Sequence, residues 1–252
     1  MSFNMAGNEL RPFWARYFPW NWKFGIALLL MICIPRFVLV LEANQTGNYA
    51  SIGLIMLISA LIPFLFLSRQ GRQKIGIRRA QRWSVLVPAF AFGIAASFIL
   101  YAIGYGLYGD TDQNWYQYIG RSYGIPEGIA SQEKFIFFLI VAITGMLFSP
   151  VGEELFFRGV VHGSFAASVG ERRASIVDSA AFAFTHIAHF GWVFVDGKWQ
   201  FFTVPAIVWV LSMFLVSVLF FRMKKQSGSL LGAICCHAGF NLGMIYTIFY
   251  WL

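Results

Sequence analysis

The chain has 252 residues, of which 58% are hydrophobic and only 12% charged. Soluble domains carry roughly 25% charged residues, so an ordinary soluble protein is excluded and no length remains for a separate soluble domain. The formal net charge of +8 does not point to nucleic acid, because the basic residues form no exposed stripe and instead follow the topology of a bilayer protein.

Residues 1–23 lack the short basic start and small-residue cleavage site of a signal peptide. Trp14, Trp20 and Trp22, mixed with Arg11, Arg16 and Lys23, read as an interfacial segment ahead of a single transmembrane domain over 24–252. Apolar runs of about 20 residues cross a bilayer as helices, and continuous runs exclude the alternating pattern of a barrel. Seven spans are predicted, near 24–41, 50–68, 84–108, 135–157, 174–190, 201–221 and 229–251. The fold class is therefore an all-α polytopic membrane bundle. Pro35 and Arg36 interrupt the first span, with Arg36 read as structural or snorkelling rather than as cavity lining. The fourth span is expected to continue as helix toward Ser164.

Positive charge sets the orientation. Arg69, Arg72, Lys74, Arg78, Arg79 and Arg82 mark the second connection, Arg172 and Arg173 the fourth, and Arg222, Lys224 and Lys225 the sixth. The alternate connections are neutral or acidic. This pattern puts the N-terminus in the cytoplasm and the C-terminus outside, in a plasma or inner membrane. Cys33, Cys235 and Cys236 lie in apolar runs and imply no disulfide framework.

Against this background, a few polar groups stand out. Glu153, Glu154 and Arg158 close the fourth span, His186 lies in the fifth, and His237 and Asn241 lie in the seventh. An ionisable group at bilayer depth costs at least ~2.5–3.5 kcal/mol, so its default reading is functional. At 1.5 Å rise per residue, His237 lies roughly 12 Å and His186 roughly 18 Å from the cytoplasmic starts of their helices. Glu153, counted back from Ser164, lies at a comparable depth, so the three can meet in the middle-to-cytoplasmic part of the membrane.

Spacing assigns faces. Glu154 and Arg158 are four apart and share a ridge, which His162 continues, whereas Glu153 points about 100° away. His237 and Asn241 again share a face. Amide hydrolysis needs an activated water, stabilisation of the oxyanion and an acid for the leaving amine. Glu153 with His186 suits the first task, and His237 with Asn241 suits the second. Glu154 paired to Arg158 would brace the helix. Taken singly, a histidine in an apolar helix most often packs and hydrogen-bonds, and a Glu–Arg pair most often neutralises itself. Glu153 resists that reading, because Arg158 cannot serve both carboxylates. His162 and His189 read as structural, and Asp178 as a helix-start residue near the cytoplasmic surface. Cys236 points away from its neighbour His237 and is set aside as a nucleophile.

Glu153-Glu154-x-x-x-Arg158, Phe182-x-x-x-His186 and His237-x-x-x-Asn241 resemble the three motifs of the CAAX prenyl protease and bacteriocin-processing (CPBP) family of glutamate intramembrane proteases. The run Ser227–His237 and the element Ile75-Gly76-Ile77 are similar to further family features. The resemblance covers 135–245. It implies a CAAX-type intramembrane endopeptidase in which Glu153 and His186 activate water, His237 and Asn241 form the oxyanion site, and Glu154 and Arg158 support them. It also implies an α-helical bundle with a cavity open toward the cytoplasm; family members are usually given eight spans, against seven found here. The partners implied are the lipid bilayer and a peptide or protein substrate, with membrane-anchored or lipidated chains included and nucleic acid excluded. No cofactor is expected. Two alternatives stay open. One is a zinc metalloprotease using Glu153, His186 and His237, although no His-Glu-x-x-His helix is present. The other is a non-catalytic binding, immunity or signalling scaffold.

Overall fold

The computed structural model describes residues 9–252, so the part of the interfacial segment before Glu9 lies outside the described residues. The described residues are 77% helical. In order come α1 (Pro12–Ala15), α2 (Trp22–Thr46), α3 (Ala50–Phe66), α4 (Arg69–Ile75), α5 (Leu86–Tyr108), α6 (Trp115–Arg121) and α7 (Ser131–Glu153). A π-helical stretch, Glu154–Val161, joins α7 to α8 (His162–Val169), which is followed by α9 (Glu171–Thr185). A 3₁₀ turn, His186–Ala188, leads to β1 (Trp192–Val195) and β2 (Lys198–Phe201), and then come α10 (Thr203–Ser227) and α11 (Leu230–Tyr250).

Five helical segments are long and apolar enough to cross a membrane: Trp22–Thr46, Trp83–Tyr108, Ser131–Val169, Thr203–Ser227 and Leu230–Tyr250. Helix α3 is apolar but shorter. The predicted fifth span, near 174–190, is the short one. Helix α9 has 15 residues, begins on the charged run Glu171-Arg172-Arg173 and carries a buried Asp178. It is a protein-packed helix, held mainly between α8 and α10. The fourth span does run on as helix, to Val169.

The hairpin β1–β2, with Val195 opposite Lys198, is a small departure from an all-helical chain. Asp196 (φ 51) and Gly197 (φ 73) form its two-residue turn, the left-handed pair that a tight hairpin demands.

The bundle has two chemically distinct ends. At one, the N-terminal segment pairs with the α3–α4 corner, where Ser68 N donates to Glu9 O at 2.8 Å and Arg11 N to Phe66 O at 2.9 Å. The same end holds the basic connections. There Gly76 O accepts from Leu230 N at 3.0 Å, and Ser229 Oγ donates to Arg78 O at 2.5 Å. The Ile75-Gly76-Ile77 element thus docks on the turn into α11, where Ser229 caps the helix by accepting from Leu231 N and Gly228 takes φ 69. The other end carries α6, the hairpin and the C-terminus.

Close backbone approach organises the middle. Gly93 of α5 meets the Cys236 carbonyl and Gly239 of α11 meets the Phe90 carbonyl, with no room for a Cβ at either. Small residues at such contacts are what pack helices closely in lipid, where apolar burial alone gives no attraction between them. Gly152 does the same for α7 against α3, since a Cβ there would lie 2.5 Å from Met56 O. This contact fixes the helix one residue before Glu153.

Candidate active site

The two adjacent glutamates enter separate circuits. Glu153 Oε1 lies 2.6 Å from Arg36 Nη2 of α2, with both side chains almost fully buried. Ser149, one turn earlier on α7, donates to the same oxygen at 3.0 Å. Glu153 Oε2 has no hydrogen-bond partner among the described residues. Arg36, read from sequence as structural or snorkelling, is therefore the counter-ion of the central carboxylate and lines the cavity beside it.

Glu154 turns the other way. Its Oε2 lies 3.3 Å from Arg158 Nε, and its Oε1 lies 2.8 Å from His237 Nδ1. The expected Glu154–Arg158 pair forms, and it extends to His237, which the sequence reading assigned to the oxyanion alone. The Arg158 guanidinium lies 4.2 Å from the Phe182 ring centre and donates to Ser217 Oγ at 2.5 Å. The π-helical stretch, a winding found often at functional sites, leaves the Arg158 carbonyl free of its usual partner, and Lys224 Nζ donates to it at 2.5 Å.

His186 ends α9. The Phe182 carbonyl accepts from His186 Nδ1 at 2.7 Å; because a carbonyl only accepts, Nδ1 carries the proton and Nε2 of the neutral ring is an acceptor. Trp209 Nε1 donates to His186 O at 3.0 Å, and the Phe182 and His186 rings lie 4.3 Å apart. His237 stacks on Phe220 at 4.6 Å. Asn241 Nδ2 donates to Gly145 O at 2.9 Å, which leaves its second N–H and its carbonyl oxygen without a protein partner among the described residues.

A cavity of about 210 Å³ is lined by Arg36, Ser149, Glu153, His186, His237 and Asn241, together with Phe182, Phe220 and apolar side chains. The structure thus brings Glu153, His186, His237 and Asn241 to one space, with Glu154 and Arg158 packed behind it. Glu153 makes no direct hydrogen bond to His186 or His237 among the described contacts, so any link between them crosses the cavity. His189, expected to be structural, also lines it, with its ring 5.4 Å from that of His186. His162 stays outside: its Nδ1 lies 2.6 Å from Asp178 Oδ2 and its Nε2 lies 3.5 Å from Glu171 Oε2. Asp178 is fully buried, which corrects its placement near the surface; His162 is what compensates it there.

The cavity extends toward α6. Its walls include Ile119 and Tyr123 beside α6, Ile52 and Met56 at the start of α3, and Met244 and Ile245 near the end of α11. None of the lining comes from the basic connections. Below it lie Phe182, Phe220 and the Glu154–Arg158 pair.

Among the described residues, no three His, Cys, Asp or Glu side chains are grouped as a metal ion would need. Glu153 Oε1 and His237 Nδ1 are engaged by protein partners.

Fold and site define an integral membrane protein with a buried carboxylate–imidazole centre. Residues 135–243 match the family model described as type II CAAX prenyl endopeptidase Rce1-like, so this part of the chain is similar to that family of CAAX-type membrane endopeptidases. No match was found among curated proteins or among solved structures.

Proposed function

We propose that the protein is an intramembrane endopeptidase in which Glu153 and His186 activate a water molecule. The observation that supports this most is the pairing of two acceptors on one cavity. Glu153 holds Arg36 and Ser149 through one oxygen and keeps the other unpaired. His186, with its Nδ1 proton held by Phe182 O, offers Nε2. A water between them can donate to both, which orients its lone pair toward a peptide carbonyl and gives its proton a destination.

His237 and Asn241 receive the developing oxyanion in this reading. Asn241 has an N–H to spare. His237 gives Nδ1–H to Glu154, so donation from Nε2 requires the doubly protonated ring, a state that the Glu154 carboxylate neutralises. Each such donor contributes on the order of 10²–10³ in rate. The proton taken from water returns to the leaving amine, so the step consumes one water and one peptide bond and leaves a carboxyl and an amine.

The substrate in this reading is a peptide or protein segment held at the membrane, and no metal takes part. The test is hydrolysis of a fluorogenic peptide by purified wild type, Glu153→Gln and His186→Ala. Retention of full activity in either folded variant ends the proposal. Activity lost to a chelator and restored by zinc would favour the metalloprotease, and a biological phenotype kept by Glu153→Gln would favour the scaffold.

A further inference from the structure

We infer that a second cavity, at the bundle end that holds the basic connections, is a binding site for a phosphate group, carried by a lipid headgroup or free in solution. The inference stands apart from the peptidase reading, because none of its residues lines the central cavity.

The first observation is the cavity itself. It holds about 200 Å³, and its walls include Trp20, Lys74, His162, Glu171 and Lys224. Ile75 and the Trp20 ring close down on Gly163, where a Cβ would lie 2.8 and 3.0 Å from them. The walls are therefore packed against one another rather than loosely apposed.

The second observation is a set of unmatched polar groups facing this space. Lys224 is half-buried, and its Nζ donates to the Arg158 carbonyl at 2.5 Å. It has no carboxylate within ion-pair distance among the described residues, whereas Lys74 has Glu9 and Lys225 has Glu171. Residues 1–8 contain no Asp or Glu that could supply one. An ammonium carries three protons to donate, so Lys224 has donors to spare. His162 is 2% exposed, and its Nε2 has no hydrogen-bond partner among the described residues. Buried polar atoms are almost always satisfied, so an open one in a cavity wall marks a place for a partner. A phosphate group suits it in either state, since its oxygens accept from the charged ring and its hydroxyl donates to the neutral one.

The third observation is the sign of the charge. Glu171 is the one carboxylate on these walls. Lys225 donates to it at 3.1 Å, His162 Nε2 lies 3.5 Å away, and its side chain is 59% exposed. It is thus neutralised and free to turn toward water. The neighbouring stretches 69–82 and 222–225 hold six and three basic residues and no acidic one, a field that draws in anions.

Placement supports the same ligand. The cavity lies where α2 begins and α10 ends, beside a tryptophan of the kind that marks the membrane–water interface. Clusters of Lys and Arg next to a spanning helix bind anionic headgroups. An occupant would hold Lys224 against the Arg158 carbonyl and steady the π-helical stretch, so binding should appear as a raised melting temperature.

The test is thermal unfolding of the full chain in a neutral detergent at constant ionic strength. It is titrated separately with dioctanoyl phosphatidic acid, dioctanoyl phosphatidylcholine and inorganic phosphate. Phosphatidic acid should raise the melting temperature of the wild type, and phosphatidylcholine should not. A rise with the acidic lipid alone assigns the phosphate to a headgroup; an equal rise with inorganic phosphate at similar concentration assigns it to a soluble ligand. Lys74→Gln and Lys224→Gln should each raise the half-saturating concentration about tenfold, the loss expected for one charged contact. Ala167→Phe fills the cavity from an exposed wall position and leaves every charge in place; it should abolish the rise, and it decides the matter if Lys224→Gln does not fold. An equal rise with phosphatidylcholine, no rise with either phosphate, or a rise unchanged in Lys74→Gln and Ala167→Phe overturns the inference. None of these outcomes bears on Glu153-dependent hydrolysis, which is assayed separately.

Discussion

Arg36 Nη2 and Glu153 Oε1 stand 2.6 Å apart in the interior, on helices separated by more than a hundred residues of chain. Breaking a buried pair by removing one partner leaves an uncompensated charge and costs about 3–5 kcal/mol. Arg36→Met should therefore lower stability by that order, and Arg36→Met combined with Glu153→Gln should recover most of it without restoring hydrolysis. Thermal unfolding of the four proteins in one detergent, analysed as a double-mutant cycle, checks the coupling; additive effects would deny it.

In the proposed mechanism, Glu153→Gln alone preserves shape and removes the base. Proton transfer by a positioned group contributes typically 10²–10⁴-fold, so kcat should drop by at least about 10². Ser149→Ala, which removes one donor to the same oxygen, should reduce kcat less than Glu153→Gln does. Steady-state kinetics on a fluorogenic peptide separate the two.

Asn241→Ala should reduce kcat by about 10²–10³ with little change in KM, as expected for a donor that acts on the transition state. Because Asn241 also holds the Gly145 carbonyl, unfolding should be measured alongside. A variant that loses stability but keeps kcat would make the residue a helix tie only.

Gly152→Ala should destabilise the protein by about 1–3 kcal/mol, the usual cost of overpacking, because its Cβ would press on Met56 O at 2.5 Å. The same shift displaces Glu153, so kcat should fall too. An unchanged melting temperature would mean that α3 and α7 can separate freely.

Glu171, outside the spans, has its carboxyl held down at about 2, with the His162 imidazole the largest influence, burial opposing it and Lys225 adding to it. The folded value lies below the ordinary ~4.3. The ionised group thus stabilises the fold above that pH, and the contribution fades as pH falls from there toward about 2. The side chain is 59% exposed, so the effect should stay within about 1 kcal/mol. The gap in melting temperature between wild type and Glu171→Gln should narrow between pH 6 and pH 3; widening would contradict it.

Most of the helices were legible from hydropathy, because lipid forces every backbone group into a local hydrogen bond. The three motif helices were legible from charge, since each carried groups too costly to be incidental. Arg36 was missed as a partner, although the sequence held the clue: two adjacent glutamates and one nearby arginine leave a carboxylate without a cation, and Arg36 is the other basic residue inside a span. His189 gave no such signal, because its role depends on where the chain turns after Thr185. The hairpin was signalled by Asp196-Gly197 and passed over, since its strands are short and interrupt a hydrophobic series.

The widened winding over Glu154–Val161 makes the chain unequal in its tolerance of length change. A π turn accommodates one residue more than an α turn. Excising one residue there would let the helix rewind regularly with its two flanks still in register, whereas excising one from the regular winding of α7 would turn everything before the cut by about 100° against Glu153. The same one-residue loss is therefore absorbed in one stretch and disruptive in the next.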